Sequence, residues 1–125
     1  MVLSDDLLQD VSISVTTVTL PVSFANACPM LLNAIEQANP DIVIATGLKR
    51  SARGVLLERC ATNLMYAAKP DADNVLPPRR PINPDAPAAY WTRLPLRSFL
   101  RVFAKHELPA ALSSDAGTFV CNSLF

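Results

Sequence analysis

Three residues of this 125-residue chain have side chains suited to nucleophilic catalysis, namely Cys121, Glu58 and His106. Cys121 follows a turn that contains Gly117 and a threonine that could cap a helix. A thiol at a helix N-terminus meets unpaired N–H groups, which favour the nucleophilic thiolate and could also bind an oxyanion. The alternative is that Cys121 is a small buried apolar residue, the common fate of free cysteine, and the pattern alone favours it.

Glu58 and His106 each also have a non-catalytic interpretation. Glu58 interrupts an apolar run, so it either pairs with Arg59 or faces solvent; in a cleft it could orient a catalytic histidine. His106 is the only histidine, and it lies beside Glu107 at the end of a predicted helix, where a surface position is typical. Its use as a general base would require that helix end to reach Cys121, which the pattern does not indicate.

The elements that must position these residues alternate between strands and helices. Residues 11–20 alternate apolar and hydroxylic side chains and predict a strand with one buried face. Residues 41–47 form a continuous apolar run closed by Gly47, which predicts a buried strand covered by helices on both faces. Residues 27–38 carry apolar side chains at three- and four-residue steps and predict an amphipathic helix.

The second half of the chain continues this alternation after a proline-rich stretch. Six of the 11 prolines lie between residues 70 and 87, so residues 69–95 predict a long loop. Helical spacing returns at 95–106 and a short strand is predicted at 110–113, whereas 54–62 is ambiguous between strand and helix. This order of elements predicts an α/β layer architecture.

Composition excludes several classes of protein. Eleven basic residues balance 11 acidic ones, so no nucleic-acid partner is expected, and no apolar run approaches the roughly 20 residues that span a bilayer. The N-terminal ten residues carry acids and no Lys or Arg, unlike a signal peptide. Three distant cysteines without a C-x-x-C pair indicate neither disulfides nor zinc, so we expect a cytoplasmic protein without metal or cofactor.

Two motifs resemble the signatures of one enzyme family. Residues 113–122 (SSDAGTFVCN) resemble the cysteine signature of the type I pyroglutamyl peptidases, also called pyrrolidone-carboxylate peptidases. Residues 58–63 (ERCATN) are similar to the glutamate signature of that family, and the spacing from Gly47 to Glu58 fits as well. The resemblance extends from about Leu20 to the last residue.

The resemblance implies a fold and a reaction. The fold is a three-layer α/β/α sandwich around a central mixed sheet, incomplete in this chain, and the reaction removes an N-terminal pyroglutamyl residue from peptides through a thioester. The family uses a Cys-His-Glu arrangement, which makes Cys121 the nucleophile and Glu58 the residue that orients the histidine. Phe119 and Val120 would line the apolar pocket for the lactam ring.

The resemblance also implies what this chain lacks. The family histidine lies downstream of the cysteine motif, and the Phe- and Gly-rich N-terminal loop of the family has no counterpart before residue 20. We therefore expect residues 1–125 to be a single partial domain, truncated at both ends. The alternative is a non-catalytic remnant that acts as a self-associating or small-molecule-binding α/β domain.

Overall fold

The computed structural model describes residues 12–124 of the chain. Two helices, four short strands and one 3₁₀ helix follow one another in this part of the chain. In order they are α1 Ala27–Ala38, β1 Val55–Glu58, β2 Cys60–Thr62, β3 Ala89–Trp91, α2 Leu96–Lys105, β4 Ala110–Ser113 and the 3₁₀ helix Val120–Leu124.

Both predicted helices are confirmed, and local chemistry explains where they end. Helix α1 ends at Asn39, which takes a left-handed φ of 42° and donates its N–H to the Ile35 carbonyl at 2.8 Å. Asparagine tolerates this conformation, and the proline that follows cannot continue a helix. Helix α2 ends at His106, and the next residue, Glu107, again has a positive φ, of 56°.

Strands β1 and β4 form a parallel pair that α2 contacts from one side. Their register places Val55 opposite Ala110 and Glu58 opposite Ser113. The strand predicted at 110–113 is confirmed, and the ambiguous residues 54–62 divide into β1 and β2. Glu58 therefore lies at the carboxyl edge of a parallel pair, the edge where α/β proteins place their ligands.

A glycine permits β1 to enter this pair. Val55 donates its N–H to the Pro109 carbonyl at 2.8 Å, one residue before the ladder starts. A Cβ atom at Gly54 would overlap that carbonyl group and lie 2.8 Å from its carbon. Any side chain at this position would therefore separate β1 from β4 or distort the start of β1.

The proline-rich loop contains a strand that the sequence did not predict. Strand β3 pairs antiparallel with β2, with Cys60 opposite Trp91 and Thr62 opposite Ala89. A bridge between Met65 and Arg80 ties down the middle of the loop. The rest of residues 69–95 forms turns and irregular backbone, as predicted.

The predictions of strands at 11–20 and 41–47 are wrong for the residues that the structure describes, which do not include Val11. Residues 12–20 and 41–47 form no strand, and their apolar side chains, apart from the half-buried Leu20, are exposed, with Val15 and Ile44 each 75% exposed. A strand needs a neighbour to accept and donate its backbone hydrogen bonds. In the described part of the chain β1 pairs only with β4 and β2 only with β3, so neither segment has such a neighbour.

A polar junction fastens the start of α1 to the turn at residues 71–75. The Asp71 carboxylate accepts the N–H of Phe24 at 2.9 Å and those of Asp73 and Val75 at 3.0 Å each. Ser23, which is fully buried, donates its hydroxyl to Asp73 at 2.5 Å. Hydrogen bonds from backbone N–H groups, above all from Phe24, hold the pKa of Asp71 below its usual value of 3.8.

The predicted α/β class is confirmed. The described residues combine helices with two short sheets, one a parallel pair of strands and the other an antiparallel pair.

Candidate active site

Cys121 is exposed and is the second residue of the 3₁₀ helix. The chain reaches it through a turn in which Asp115 accepts the N–H of Gly117 at 2.9 Å. Gly117 has a φ of 74°, a conformation that glycine adopts without strain. The buried alternative for this cysteine is therefore wrong, although the helix that carries it is only five residues long.

Asn122 fixes the backbone next to the thiol. It is 2% exposed, and its amide oxygen accepts the N–H of Thr62 at 3.0 Å. Its amide nitrogen donates to the carbonyls of Thr62 at 2.7 Å and Leu64 at 3.2 Å. Three hydrogen bonds thus join the cysteine-bearing turn to the end of β2, four residues after Glu58. This role of Asn122 was not predicted from the sequence, where its position beside the candidate nucleophile was the available signal.

Residues before the cysteine are held equally firmly. The Thr118 hydroxyl donates to the Tyr66 carbonyl at 2.7 Å, and the Tyr66 N–H donates back to the Thr118 carbonyl at 3.1 Å. Phe119 is half-buried and meets the ring of Phe24 edge to face, with 5.2 Å between centroids and 88° between ring planes. Val120 is 3% exposed. That Phe119 and Val120 line a substrate pocket stays a prediction.

Gly47 lies against the thiol from the other side. A Cβ atom built on Gly47 would be 3.2 Å from Cys121 Sγ. The segment 41–48 therefore passes beside the nucleophile candidate, although it forms no strand. Sequence reasoning used Gly47 only as the end of an apolar run and for its spacing to Glu58, so this contact was missed.

Glu58 ends β1 opposite Ser113, the residue that ends β4. Its Oε2 atom is buried and has no hydrogen-bond partner within residues 12–124. Of the two alternatives for Glu58, the pairing with Arg59 does not occur: Arg59 donates through Nε and through a terminal guanidinium nitrogen to the Ser114 hydroxyl. A buried carboxylate oxygen without a donor is costly, so this one is suited to receive an N–H from a further group.

Glu58 and Cys121 lie at the same edge of the parallel pair, but no hydrogen bond joins them in the described residues. Cys121 follows the carboxyl end of β4, and Asn122 anchors it to the strand that continues from Glu58.

His106 lies at the other end of β4. It follows α2 and precedes Ala110, the first residue of β4, whereas Ser113 and the turn to Cys121 follow its last residue. Four residues of strand span about 10 Å at the usual rise of roughly 3.3 Å per residue. The surface position expected for His106 is confirmed, because the side chain is exposed.

Two surface cavities formed by the described residues lie away from the thiol. One of about 350 Å³ lies beside Arg59, Trp91 and the start of α2, and one of about 200 Å³ lies beside Phe24 and Met65. Neither is lined by Cys121 or Glu58.

The part of the chain that the structure describes contains neither a metal-binding cluster nor a membrane-spanning helix. Among residues 12–124, no three His, Cys, Asp or Glu side chains converge so that they could hold a metal ion. None of the described helices has both the length and the apolar content needed to cross a bilayer.

Comparison with known proteins identifies relatives over nearly the whole chain. The family profile described as pyroglutamyl peptidase matches residues 5–125. The pyrrolidone-carboxylate peptidase of Bacillus subtilis (strain 168) is 43% identical over 111 residues, which cover 89% of this chain and 52% of that protein. The pyrrolidone-carboxylate peptidase of Pseudomonas fluorescens (strain SBW25) is 40% identical over 106 residues, covering 85% of this chain and 50% of that protein.

Solved structures agree with the sequence relatives. The pyrrolidone carboxyl peptidase of Thermococcus litoralis superposes with a TM-score of 0.81 at 37% identity, over 84% of this chain and 48% of that one. The enzyme of Pyrococcus furiosus gives the same TM-score at 34% identity, over 84% of this chain and 50% of that one. The chain spans about half the length of the curated relatives it matches, and it belongs to the pyroglutamyl peptidase family.

Proposed function

We propose that this chain carries the nucleophile and the orienting carboxylate of a cysteine exopeptidase that removes N-terminal pyroglutamyl residues from peptides. The observation that carries the proposal is that an exposed thiol, Cys121, and the buried, unpartnered Oε2 of Glu58 lie at the same edge of the β1–β4 pair. The names of the relatives, pyrrolidone-carboxylate peptidases, supply the substrate class.

In this mechanism the Cys121 sulfur attacks the pyroglutamyl carbonyl carbon while a histidine takes the thiol proton. The tetrahedral intermediate collapses, the C–N bond breaks, and the histidine returns the proton to the departing amine. Water then hydrolyses the thioester, which releases pyroglutamate and restores the thiol. Glu58 accepts the second N–H of the histidine and so fixes the orientation of the ring.

His106 does not serve as this histidine, because it lies at the opposite end of β4 from Cys121. The relatives are about twice as long as this chain. We assign the base to the part of the family's length that the chain does not span. The orphaned Glu58 oxygen is the position at which that histidine would bind.

The substrate pocket follows from the chemistry of the lactam. A pyroglutamyl terminus has no charged amine, so apolar walls with a few amide hydrogen bonds complement it. We assign these walls to Phe119 and Val120, which directly precede the nucleophile. The edge-to-face contact with Phe24 would hold the Phe119 ring in place.

The test is hydrolysis of a fluorogenic pyroglutamyl amide by a chimera. Residues 20–125 are joined to the segments of the Bacillus subtilis relative that lie on either side of its matching part, which is 43% identical to this chain. We expect turnover by the chimera and little or none by the 125-residue chain. Cys121→Ala should abolish turnover, and Glu58→Gln should lower it without unfolding the protein.

Cys28→Ser is the matched cysteine control and should leave the rate of the chimera unchanged, because Cys28 lies in α1 and outside the cysteine motif at 113–122. Full activity of Glu58→Gln would contradict the orienting role. Robust turnover by the 125-residue chain, lost on Cys121→Ser, would contradict the assignment of the base to the missing part of the family. An inactive but folded chimera would favour a non-catalytic remnant.

Three further assignments belong to this proposal. Residues 1–125 form one partial domain, with 69–95 as a loop inside it. The chain is cytoplasmic, which suits its free cysteines. It can also self-associate through the exposed apolar segment 41–48, which sedimentation velocity at increasing concentration would measure.

A further inference from the structure

Gly47 occupies its position for a reason other than backbone freedom. Glycine is usually required where φ is positive, but among the glycines of the described residues only Gly117 has a positive φ. The backbone at Gly47 is therefore open to any L-residue. Its side-chain position also lies in an exposed segment, so general crowding does not explain it.

The nearest obstacle to a side chain at this position is the candidate nucleophile. A Cβ atom on Gly47 would lie 3.2 Å from Cys121 Sγ. That is shorter than the roughly 3.5–4.0 Å at which non-bonded carbon atoms pack best, and sulfur is larger than carbon. An alanine could be accommodated only if the sulfur or one of the two backbones moved.

The backbone of Cys121 has little freedom to move. Val120 on one side is 3% exposed, and Asn122 on the other makes three hydrogen bonds to the end of β2. With that backbone held, rotation about the Cα–Cβ bond is the movement of Cys121 that relieves the overlap. Rotation changes the direction in which the sulfur points.

We propose that Gly47 is a positioning residue for the Cys121 thiol: its missing side chain lets the sulfur keep its rotamer and leaves one face of it open to an electrophile. The effect on turnover rests on the function proposed above. The effect on thiol reactivity does not, because alkylation needs neither pyroglutamyl recognition nor a histidine base.

The first test measures the alkylation rate of Cys121 by iodoacetamide, followed by peptide mass spectrometry on the 125-residue chain. We expect Gly47→Ala to lower this rate about three- to tenfold, the factor that a displaced rotamer costs. Leu48→Ala changes the neighbouring, 89% exposed residue and should leave the rate unchanged. Cys28 in the same sample reports any general loss of structure, since its rate should not change.

A double-mutant cycle keeps the proposal testable even where Gly47→Ala weakens folding. If the contact with sulfur is the cause, Gly47→Ala should destabilise the parent chain more than it destabilises Cys121→Ala, in which the sulfur is absent. Equal destabilisation in both backgrounds would overturn the proposal, as would a Cys121 alkylation rate within twofold of the parent or above it.

In the chimera, Gly47→Ala should lower kcat more than it raises KM, because the nucleophile is misplaced while the pocket remains. An inactive chimera together with a slowed alkylation rate would reject the proposed function and retain the role of Gly47. An active chimera with an unchanged alkylation rate would support the proposed function and reject the role of Gly47.

Discussion

The strands that lead to the thiol are organised, whereas the segment 41–48 is not, although that segment is the richer of the two in β-branched residues. Strands β1 and β4 lie in a ladder, and Asn122 and Thr118 tie the turn beyond β4 to the residues after β2. Residues 41–48 contain Ile42, Val43 and Ile44 and remain unpaired, with Leu48 89% exposed.

The difference teaches that strand formation here is decided by partners and not by composition. β1 is a four-residue segment of ordinary β propensity, but it meets β4 in register and shares four residue pairs with it. The more strongly apolar segment at 41–47 has no neighbour among the described residues. β propensity describes how well a side chain fits a sheet that already exists.

Substitution at Gly54 should have the largest effect on the organised region. In Gly54→Ala, the new methyl group overlaps the Pro109 carbonyl at the point where β1 joins β4. We expect a loss of about 3 kcal/mol or more in the free energy of unfolding, measured by urea denaturation.

Gly117→Ala is the matched control, because its methyl group meets no atom within 4 Å and only the φ of 74° is strained. It should cost about 1 kcal/mol. If the two variants were equally stable, overlap with Pro109 would not be what requires glycine at position 54.

Loss of the Asn122 side chain should have the next largest effect. Asn122→Ala leaves the N–H of Thr62 and the carbonyls of Thr62 and Leu64 without their partner in a buried position. We expect destabilisation of about 2 kcal/mol by urea denaturation. Cys121 alkylation should also become faster and less selective, because the turn that carries the thiol is released.

Asn33→Ala is the control for this prediction. Asn33 accepts a hydrogen bond from Gln37 on the exposed face of α1, so its removal should change stability by no more than about 0.5 kcal/mol. A cost for Asn122→Ala as small as this would mean that the three hydrogen bonds do not hold the turn.

Much of the fold could be predicted from the sequence wherever the signal is local. Helical spacing predicted α1 to the residue and α2 to within one residue at each end, and the strand at 110–113 has the predicted bounds. The alternation at 11–20 and the apolar run at 41–47 misled for the described residues, because such patterns report a face that suits a sheet and not the presence of a neighbouring strand. Strand β3 was missed because its three residues lie among prolines.

The candidate site likewise contains residues that could be predicted from the sequence and contacts that could not. Cys121 and Glu58 could be chosen from sequence because their motifs are local, and their catalytic roles stay predictions. The contact of Gly47 with the thiol and the hydrogen bonds of Asn122 join segments about 60 to 74 residues apart in the chain. Contacts over such separations depend on the packed fold, which one sequence does not reveal.

Acid should weaken the polar junction between the start of α1 and the turn at residues 71–75, which lies just after the unpaired segment 12–20. The pKa of Asp71 is lower in the folded chain than in the unfolded one, because backbone N–H groups favour its charged form. The carboxylate therefore adds stability above its unfolded pKa, and this contribution is lost as the pH falls through the folded pKa. Below about pH 4 the parent chain should lose stability more steeply than Asp71→Asn does.

Urea midpoints measured between neutral pH and acid would give both slopes for this comparison. Asp41→Asn, which changes an exposed carboxyl group just before the apolar run, should keep the slope of the parent chain. Parallel slopes for the parent and Asp71→Asn would mean that the hydrogen bonds to Phe24 and Val75 do not persist in solution.

The smallest effect on stability is expected within the segment 41–48 itself. Ile44 is 75% exposed, so Ile44→Ser should change the free energy of unfolding by less than about 0.5 kcal/mol. Val120→Ala removes fewer atoms but from a side chain that is 3% exposed, and should cost about 2 kcal/mol. The same Ile44→Ser change should reduce self-association in sedimentation velocity, because it removes an exposed apolar side chain. If Ile44→Ser instead cost the monomer as much stability as Val120→Ala does, the segment 41–48 would be packed in solution. The contrast between a paired and an unpaired region of this chain would then be wrong.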